Sequence, residues 1–459
     1  MIAPLDFDVK LLASDRISDE VDLRHGITDI DIYEHIDLPF LTAKMVLIDE
    51  MNFFERADII GGEKILIELK NGKGKPPSEG DAKTKNIIKT FTIASVDATA
   101  RGIDARSQTI ALSLIEDVGF NSNLKNLNKV YKGKCSDIIS KITSILGRNV
   151  DTEAKDIQNL KVIIPNMSPL DACSWLTNRA TTAEGYPFFF YSTLVDKNLQ
   201  FNDLGTLLLD RQAINDKEAE GPAPPFKYSQ PLAGSLDLAA MTVINSYTHR
   251  DVEDLYKIIK NGTIGSKQNF INSSGSTTIA NQTFNFDISK DTLDAFSAKL
   301  PPKQKRVLYD KILKFNTEKS RVIAQFGGSN SHRTTKSRQF DLSYSECSNL
   351  ADYKNTTKAQ AYLDLMHKSP MIFTMNGIEF MEGNYNNTLG RKMRIDFPPT
   401  DQFDTDGTNV DSKFSGEYLI MGAQHVIKRE RYDITFTGAR FSNMEVPDPP
   451  PSATGSGQR

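Results

Sequence analysis

Cysteine and tryptophan are scarce in this chain of 459 residues, which contains three of the former and one of the latter. Because Cys135, Cys173 and Cys347 are odd in number and far apart, we expect reduced thiols in a protein that folds in a cytoplasm. No hydrophobic run approaches the roughly 20 residues that span a bilayer, and Asp6 and Asp8 interrupt the first apolar stretch. The sequence therefore predicts no signal peptide and no membrane insertion.

An excess of charge of one sign is also missing. The chain has 55 lysines and arginines against 59 aspartates and glutamates, and its pI is near 6.0. No overall basic field is available to attract a polyanion, so we expect no specific nucleic-acid binding. With 39% hydrophobic residues, the chain is long enough for about three or four domains rather than one enzyme domain.

Motifs for catalysis and metal binding are missing as well. The six histidines lack the spacing of zinc ligands; they are His25, His35, His249, His332, His367 and His425. Residues 404–411 resemble a calcium loop only in part, because the glycine comes too early and no glutamate closes it. The glycine- and lysine-rich residues 70–75 lack the Ser or Thr and the helix of a phosphate loop. The sequence thus predicts no catalytic, cofactor-binding or metal-binding residues and no cofactor.

Two side chains have chemically versatile groups, and both are interpreted as structural. Cys173 lies on a predicted helix in a segment without histidine, which favours a packed core thiol over a nucleophile. His425 lies on a predicted strand between Gln424 and Val426, where a hydrogen-bonded histidine is expected rather than a catalytic base.

A β-unit that occurs twice is the main feature the sequence does contain. Residues 62–69 match residues 390–397 in the order glycine, lysine, apolar, isoleucine, acid, apolar, at an offset of 328 residues. Residues 91–97 match 418–424 at an offset of 327, and 109–112 match 433–436 at 324. Three matches in the same order predict one β-unit used twice, each copy a tube-type antiparallel barrel.

Between the two units the hydrophobic period changes from that of strands to that of helices. Cys135, Ile138, Ile139 and Ile142 fall on one helical face, which Gly147 ends. Ser168 with Pro169 and Asp171 predicts a capped helix start, and residues 188–191 and 199–201 predict a hairpin.

The predicted fold class is mainly β with α/β parts: two tandem tube-type antiparallel β-barrels plus a small α/β module and a partly helical insert. Residues 1–125 form the first barrel and 126–207 the module. Residues 208–250 and 370–446 form the second barrel, beginning with a strand at 239–247 after the stiff connector 221–225. The insert is 251–369, with helices expected at 251–260, 292–300, 304–315 and 358–367, and 447–459 is a flexible tail.

In several places the chain resembles the central baseplate hub proteins of contractile-tailed, T-even-like phages, relatives of the hub part of type VI secretion spikes. The resemblance lies in five stretches: residues 29–40, 55–63, 167–172 ahead of 188–201, and 415–420 followed by His425 and Tyr432. It covers nearly the whole chain apart from the insert and the tail.

The resemblance implies a homotrimer whose six barrels form a ring between a threefold central spike and the sixfold tail tube. It implies as partners the central spike or tail lysozyme protein, the tail tube or its initiator, and other baseplate proteins. The location would be the virion tail baseplate, assembled in the host cytoplasm, and the ring would form part of the channel for DNA passage.

Two alternatives to the phage hub are left open by the sequence. A tail-associated cell-wall-degrading enzyme would require a carboxylate pair in a cleft. A spike component of a phage-like injection system would share the hub architecture. The absence of catalytic motifs favours a structural protein that is not an enzyme.

Overall fold

A computed structural model describes residues 6–14, 17, 19–70, 86–101, 107–153, 155–157, 159–208, 226–228, 243–249, 266–272, 286–287, 321–327, 355, 358–360, 362–363, 366, 370–377, 380, 388–397, 414–428 and 431–439. Several predicted segments lie outside these residues: the loop 71–75, the connector 221–225, the loop 404–411, the tail 447–459, and the insert helices at 251–260, 292–300 and 304–315. No helix in the described part of the chain is long and apolar enough to cross a membrane.

The described residues of the first unit form seven strands and two short helices. They are β1 (Asp6–Leu11), β2 (Val21–Asp22), β3 (Ile27–His35), β4 (Thr42–Asp49), α1 (Phe53–Arg56), β5 (Lys64–Lys70), β6 (Ile87–Arg101), β7 (Gln108–Glu116) and α2 (Asp117–Asn123). The strands form because apolar residues alternate with polar ones: Ile65, Ile67 and Leu69 of β5 are all buried. β1 has the same alternation, although the sequence analysis did not assign it as a strand.

The α/β segment between the units contains eight elements. They are β8 (Val130–Lys134), α3 (Cys135–Ser144), β9 (Val150–Thr152), β10 (Asn159–Ile163), α4 (Pro169–Thr177), β11 (Phe188–Tyr191), β12 (Leu199–Asp203) and α5 (Leu204–Leu208). The predicted start of α4 is confirmed, because the Ser168 hydroxyl accepts a hydrogen bond of 3.3 Å from the backbone N–H of Asp171. The predicted hairpin is confirmed as the antiparallel pair β11–β12.

In its described residues, the second unit contains six strands: β13 (Phe226–Tyr228), β14 (Val243–His249), β18 (Met371–Asn376), β19 (Lys392–Asp396), β20 (Gly416–Lys428) and β21 (Arg431–Ala439). Between β14 and β18, the predicted insert contains a separate three-stranded sheet that the sequence did not predict: β15 (Ser266–Asn272), β16 (Phe286–Asp287) and β17 (Arg321–Gly327). Residues 358–360, within the fourth predicted insert helix, are helical.

Both units belong to one continuous sheet of 13 strands in the order β19-β13-β14-β18-β21-β20-β3-β4-β7-β6-β5-β1-β2. The units meet where β3 pairs antiparallel with β20. Because β19 also pairs with β20, the six strands of the second unit form a closed circuit of pairings. The first unit has no such circuit among its described strands.

The strand ladders of the two units repeat one another in register. Ile65 pairs with Phe91 between β5 and β6, and Met393 pairs with Tyr418 between β19 and β20, at the predicted offsets of 328 and 327. Ile110 of β7 pairs with Leu47 of β4, and the equivalent Ile434 of β21 pairs with Met375 of β18. The duplication predicted from the sequence is therefore present in the pairing of the strands.

Irregularities in the ladders are repeated too. The β6–β7 ladder shifts register between Ile93 and Ser95, and the β20–β21 ladder shifts between Ile420 and Gly422. A second shared bulge lies between Ile27 and Asp29 in β3 and between Ile244 and Ser246 in β14. Because a bulge inserts one residue and redirects a strand, two coinciding bulges identify β3 with β14 and β6 with β20.

Two hydrophobic cores hold the chain together. One buried cluster runs through both units and includes Tyr186, Leu194 and Leu204 from the α/β segment. The other is confined to that segment and Val118, and it contains Cys135 and Cys173. The mainly β class with α/β parts is thus confirmed, whereas the closure of each unit into its own barrel stays a prediction, as do the domain limits.

Candidate functional site

The contact between the two units contains a buried polar network. Seven residue pairs join β3 to β20, from Asp29 with Lys428 to His35 with Gly422. Ile30 and Ile32 of β3 are fully buried on one face of this contact. The alternation of the strand places Glu34 on the same face, and its side chain is buried as well.

The Glu34 carboxylate links the first unit to two other parts of the chain. Its Oε2 accepts a hydrogen bond of 2.7 Å from the backbone N–H of Leu194, in the α/β segment. Its Oε1 lies 3.2 Å from Nε2 of His425, in the second unit. One buried carboxylate therefore contacts all three parts, and truncating it would leave a backbone donor and a histidine unpaired.

His425 lies between Glu34 and Tyr432, and these three residues form the junction cluster. Nδ1 of His425 is 2.9 Å from the Tyr432 hydroxyl. Because an ionised carboxylate only accepts hydrogen bonds, we assign a proton on Nε2 of His425 to face Glu34, and Nδ1 shares a hydrogen bond with the Tyr432 hydroxyl. Burial, followed by the charge of Glu34, raises the pKa of Tyr432 well above its ordinary value.

Close backbone packing fixes the Tyr432 ring in place. The ring lies against Gly377, and a Cβ at that position would overlap it. The backbone N–H of Gly377 donates a 2.8 Å hydrogen bond to the carbonyl of Tyr432. The Phe380 ring covers the imidazole of His425 at 5.1 Å between centroids. The junction cluster is thus a packed, buried network in which His425 is hydrogen-bonded as expected, and its structural rather than catalytic role stays a prediction.

A second buried carboxylate, Glu116, fastens the α/β segment to the first unit. It accepts hydrogen bonds from the Leu41 backbone N–H at 3.0 Å and from the Ser192 hydroxyl at 2.9 Å. Lys89 lies 3.5 Å from Glu116 and donates a 2.8 Å hydrogen bond to the carbonyl of Asp196. Residues 192–196 are therefore held at three points, with Ser192 bonded to Glu116, Leu194 to Glu34 and Asp196 to Lys89.

Neither buried glutamate was predicted from the sequence. Each glutamate lies two residues after a buried apolar residue of its strand, Glu34 after Ile32 and Glu116 after Leu114. This alternation places both side chains on the buried face, and it was the signal in the sequence that could have identified them. An acid on the core face of a strand indicates a buried partner, because an unpaired buried charge is too costly to retain.

Cys173 is fully buried in the core of the α/β segment. Burial raises the pKa of its thiol, which disfavours the reactive thiolate, as expected of the predicted core residue. Within the described residues, no three His, Cys, Asp or Glu side chains are grouped so as to hold a metal ion.

A groove of about 1110 Å³ is lined by the segment from β2 to the start of β3, by the end of β4 and by α1, and it is a candidate cleft. Three of the acids that line it have structural contacts. Asp49 accepts hydrogen bonds from the backbone N–H groups of Met51 and Phe54 at the start of α1, Asp29 pairs with Lys428 at 3.1 Å, and Asp22 accepts from the Arg24 backbone. Each of these three carboxylates therefore has a backbone hydrogen bond or an ion pair.

No protein-family model matches the chain, and no curated protein matches it. Among solved structures, the tail protein from Neisseria meningitidis MC58 aligns over 95% of this chain and 96% of its own, with a TM-score of 0.50 and 12% identity. The two proteins share a fold. The resemblance to tail proteins drawn from the sequence is thereby confirmed at the level of the fold.

Two further structures are similar over most of the chain. The 43 kDa tail protein of prophage MuSo2 from Shewanella oneidensis has a TM-score of 0.49 and 11% identity, covering 95% of this chain and 98% of its own. An Escherichia coli type VI secretion component has a TM-score of 0.41 and 9% identity, covering 91% of this chain and 74% of its own.

Proposed function

We propose that this chain is the structural hub of a phage tail baseplate. Three copies form a ring that adapts the threefold central spike to the sixfold tail tube and forms part of the channel for DNA passage. The chain acts as a wall and an adapter, not as an enzyme, and it uses no cofactor. Its place is the tail of the virion, after assembly in the host cytoplasm.

The observation that carries the proposal is the internal repeat with its shared registers and bulges. A ring of three copies presents six like units, which is the number required to meet a layer of six tube subunits. A closed ring also satisfies every head-to-tail interface with the same pair of surfaces. The fold shared with a tail protein supports this reading.

Barrel closure in each unit belongs to the same proposal. The circuit of pairings from β19 through β20 in the second unit supports a tube-type barrel there. For the first unit we propose the same closure, because its strands follow the same order and closing a sheet removes its exposed edges.

The partners we propose are a second and third copy of the chain, the central spike or tail lysozyme protein, the tail tube or its initiator, and other baseplate proteins. We propose no specific binding to nucleic acid. A channel wall that lets a polyanion slide should offer few phosphate contacts, since each one strengthens binding at low salt.

Native mass spectrometry of the purified protein, alone and with its spike partner, tests the proposal. We expect a species of three times the 51.2 kDa chain mass. A duplex-DNA binding assay at physiological salt should show no retained DNA. A chain that stays monomeric with its spike, or that binds DNA tightly and in a salt-sensitive manner, would contradict the proposed role.

A further inference from the structure

The repeat gives β6 and β20 the same place in their units, yet their outer halves have different surroundings. The half of β20 at 422–428 pairs with β21 on one edge and with β3 on the other. The equivalent half of β6, at 95–101, pairs with β7 on one edge. On the other edge of β6, the ladder with β5 ends at Thr92. No described strand pairs with residues 95–101 on that edge.

This half of β6 is also exposed on both faces. Ala98, Thr99 and Ala100 are all exposed, and their small side chains leave the backbone accessible. Asp97, the residue of an additional bulge between Val96 and Ala98, contacts the hydroxyls of Ser95 and Ser113. The hydrogen bonds from Ser113 and Ser95 lower the pKa of Asp97 and join the bulge in β6 to β7. Because no described strand lies beside this edge of β6, its backbone N–H and C=O groups can pair with another strand.

The repeat also identifies which strand fits this edge. β3 of the first unit pairs with the outer edge of β20. The counterpart of β3 in the second unit is β14, because the β3–β4 and β14–β18 ladders have a bulge at the same position. The counterpart of the β3–β20 pairing is therefore a pairing of β14 with β6, which the chain does not make within itself.

We propose that β14 of one copy adds to the outer edge of β6 in a second copy, forming an antiparallel ladder that repeats the β3–β20 contact between molecules. This inference rests on the proposed ring. Three copies then contain three contacts within chains and three between chains, and all six outer edges of the β6 and β20 type are occupied. A head-to-tail contact of this kind closes after three copies and leaves no edge for further addition.

The register follows from the intrachain pairing. His425, Val426 and Ile427 of β20 pair with Ile32, Asp31 and Ile30 of β3. Through the shared partners in β7 and β21, their counterparts in β6 are Thr99, Ala100 and Arg101. Through the shared partners in β4 and β18, the counterparts in β14 are His249, Thr248 and Tyr247. The ladder should therefore place Ala100 opposite Thr248.

Disulfide trapping tests this register in the full chain. The double variant Ala100→Cys with Thr248→Cys brings two Cβ atoms of an opposed pair within about 5 Å, which suits a disulfide. After mild oxidation we expect species of two and three times the chain mass on a non-reducing gel, lost on reduction. Each single variant is a control for the native cysteines. The pair Ala94→Cys with Thr248→Cys is an off-register control, because six residues displace the thiols by about 20 Å.

Hydrogen exchange on the unmodified protein provides a second measurement that needs no variant. Residues 95–101 should exchange at least about tenfold more slowly in the trimer than in dilute monomer. A trimeric mass without the disulfide and without this protection would overturn the β6–β14 pairing while leaving the trimeric hub intact. Trapping in the off-register pair alone would overturn the register and with it the proposed ladder. A chain that is monomeric under all conditions would overturn both proposals.

Discussion

The first and second units have the same strand ladder but fill its interior differently. Met45 and Leu112 of the first unit correspond to Phe373 and Phe436 of the second. Leu114 corresponds to Gly438, where a Cβ would lie 3.1 Å from the Cβ of Tyr418 and 3.3 Å from the Phe373 ring. Larger rings at two positions are compensated by the loss of a side chain at a third. Register and bulges are therefore retained while the packed volume is redistributed.

The two units also differ in what they connect. The first unit is fastened to the α/β segment by Glu116 and Lys89, whereas the junction cluster fastens both units and that segment at one carboxylate. Equivalent positions inside the units thus hold different residues, whereas the single carboxylate of Glu34 contacts both the second unit and the α/β segment.

The largest expected effect is at the carboxylate that the units share. Glu34→Ala should lower the free energy of unfolding by about 3–5 kcal/mol, because it leaves the His425 Nε2–H and the Leu194 N–H buried without an acceptor. Urea unfolding measures this loss. The matched variant Glu34→Gln keeps an acceptor oxygen and should lose less. Equal midpoints for Glu34→Ala and the wild type would show that the units do not depend on this contact.

A pair of equivalent core variants tests whether the units are alike in energy as well as in register. Ile93→Ala and Ile420→Ala remove side chains that are both fully buried beside the shared bulge. Each should cost about 2–4 kcal/mol through lost burial and a cavity. The control Ile88→Ala, at an exposed position of β6, should change stability by less than about 0.5 kcal/mol. A large loss in only one unit would break the equivalence.

Alkaline pH should lower the free energy of unfolding through one tyrosine in the second unit and one in the α/β segment. Burial raises the pKa of Tyr432 well above its ordinary value and that of Tyr186 to about 12. Above about pH 10 the unfolded chain releases protons that the folded chain retains, so the free energy of unfolding should fall as pH rises, by about 1.4 kcal/mol per pH unit for each group.

Urea unfolding between pH 9 and pH 11.5 measures this slope. Tyr432→Phe should reduce this slope by the contribution of one group, about 1.4 kcal/mol per pH unit. It should also lower the stability at every pH, because the hydrogen bond to His425 is lost. Phe436→Leu, in the same strand, has no titrating group and should lower stability without altering the slope. An unchanged slope in Tyr432→Phe would place the alkaline sensitivity outside the junction cluster.

The smallest effect is expected outside both units, at the cap of α4. Ser168→Ala removes the hydroxyl that accepts from the Asp171 N–H and should cost about 1 kcal/mol. Ser144→Ala, at an exposed residue at the end of α3 whose hydroxyl bonds the Lys141 carbonyl, should cost almost nothing. Both variants should retain the trimeric mass. Loss of the trimer in Ser168→Ala would extend the assembly contacts to the α/β segment.

Much of the ladder could be predicted from the sequence, because strands with one buried face alternate strictly. β4, β5, β7 and β18 follow that rule, and the matched stretches at 91–97 and 418–424 carry the register with them. The capping residues of α4 were likewise visible, since the hydroxyl, proline and acid act over three positions.

The remaining features depend on contacts between distant residues. The alternation of Phe7, Val9 and Leu11 in β1 is short, and its partner β5 begins more than 50 residues later. The pairing of β3 with β20 joins positions almost 400 residues apart, and no local pattern specifies it. The roles of Glu34 and Glu116 were missed for the same reason, because a sequence does not state which donors will surround a buried acid.

The contact between β3 and β20 also means that β3 is synthesised long before the strand that pairs with it. Tyr33 and Gln424, like Glu34 and His425, are 391 residues apart. At about 5–20 residues per second, β3 leaves the ribosome some tens of seconds before its neighbour exists. Throughout that interval one side of the strand is open, and Glu34 remains in water. If translation stalls before residue 422, the edge of β3 that pairs with β20 stays unpaired. We expect a chaperone or a protease to bind that edge. A chain translated past β20 covers it.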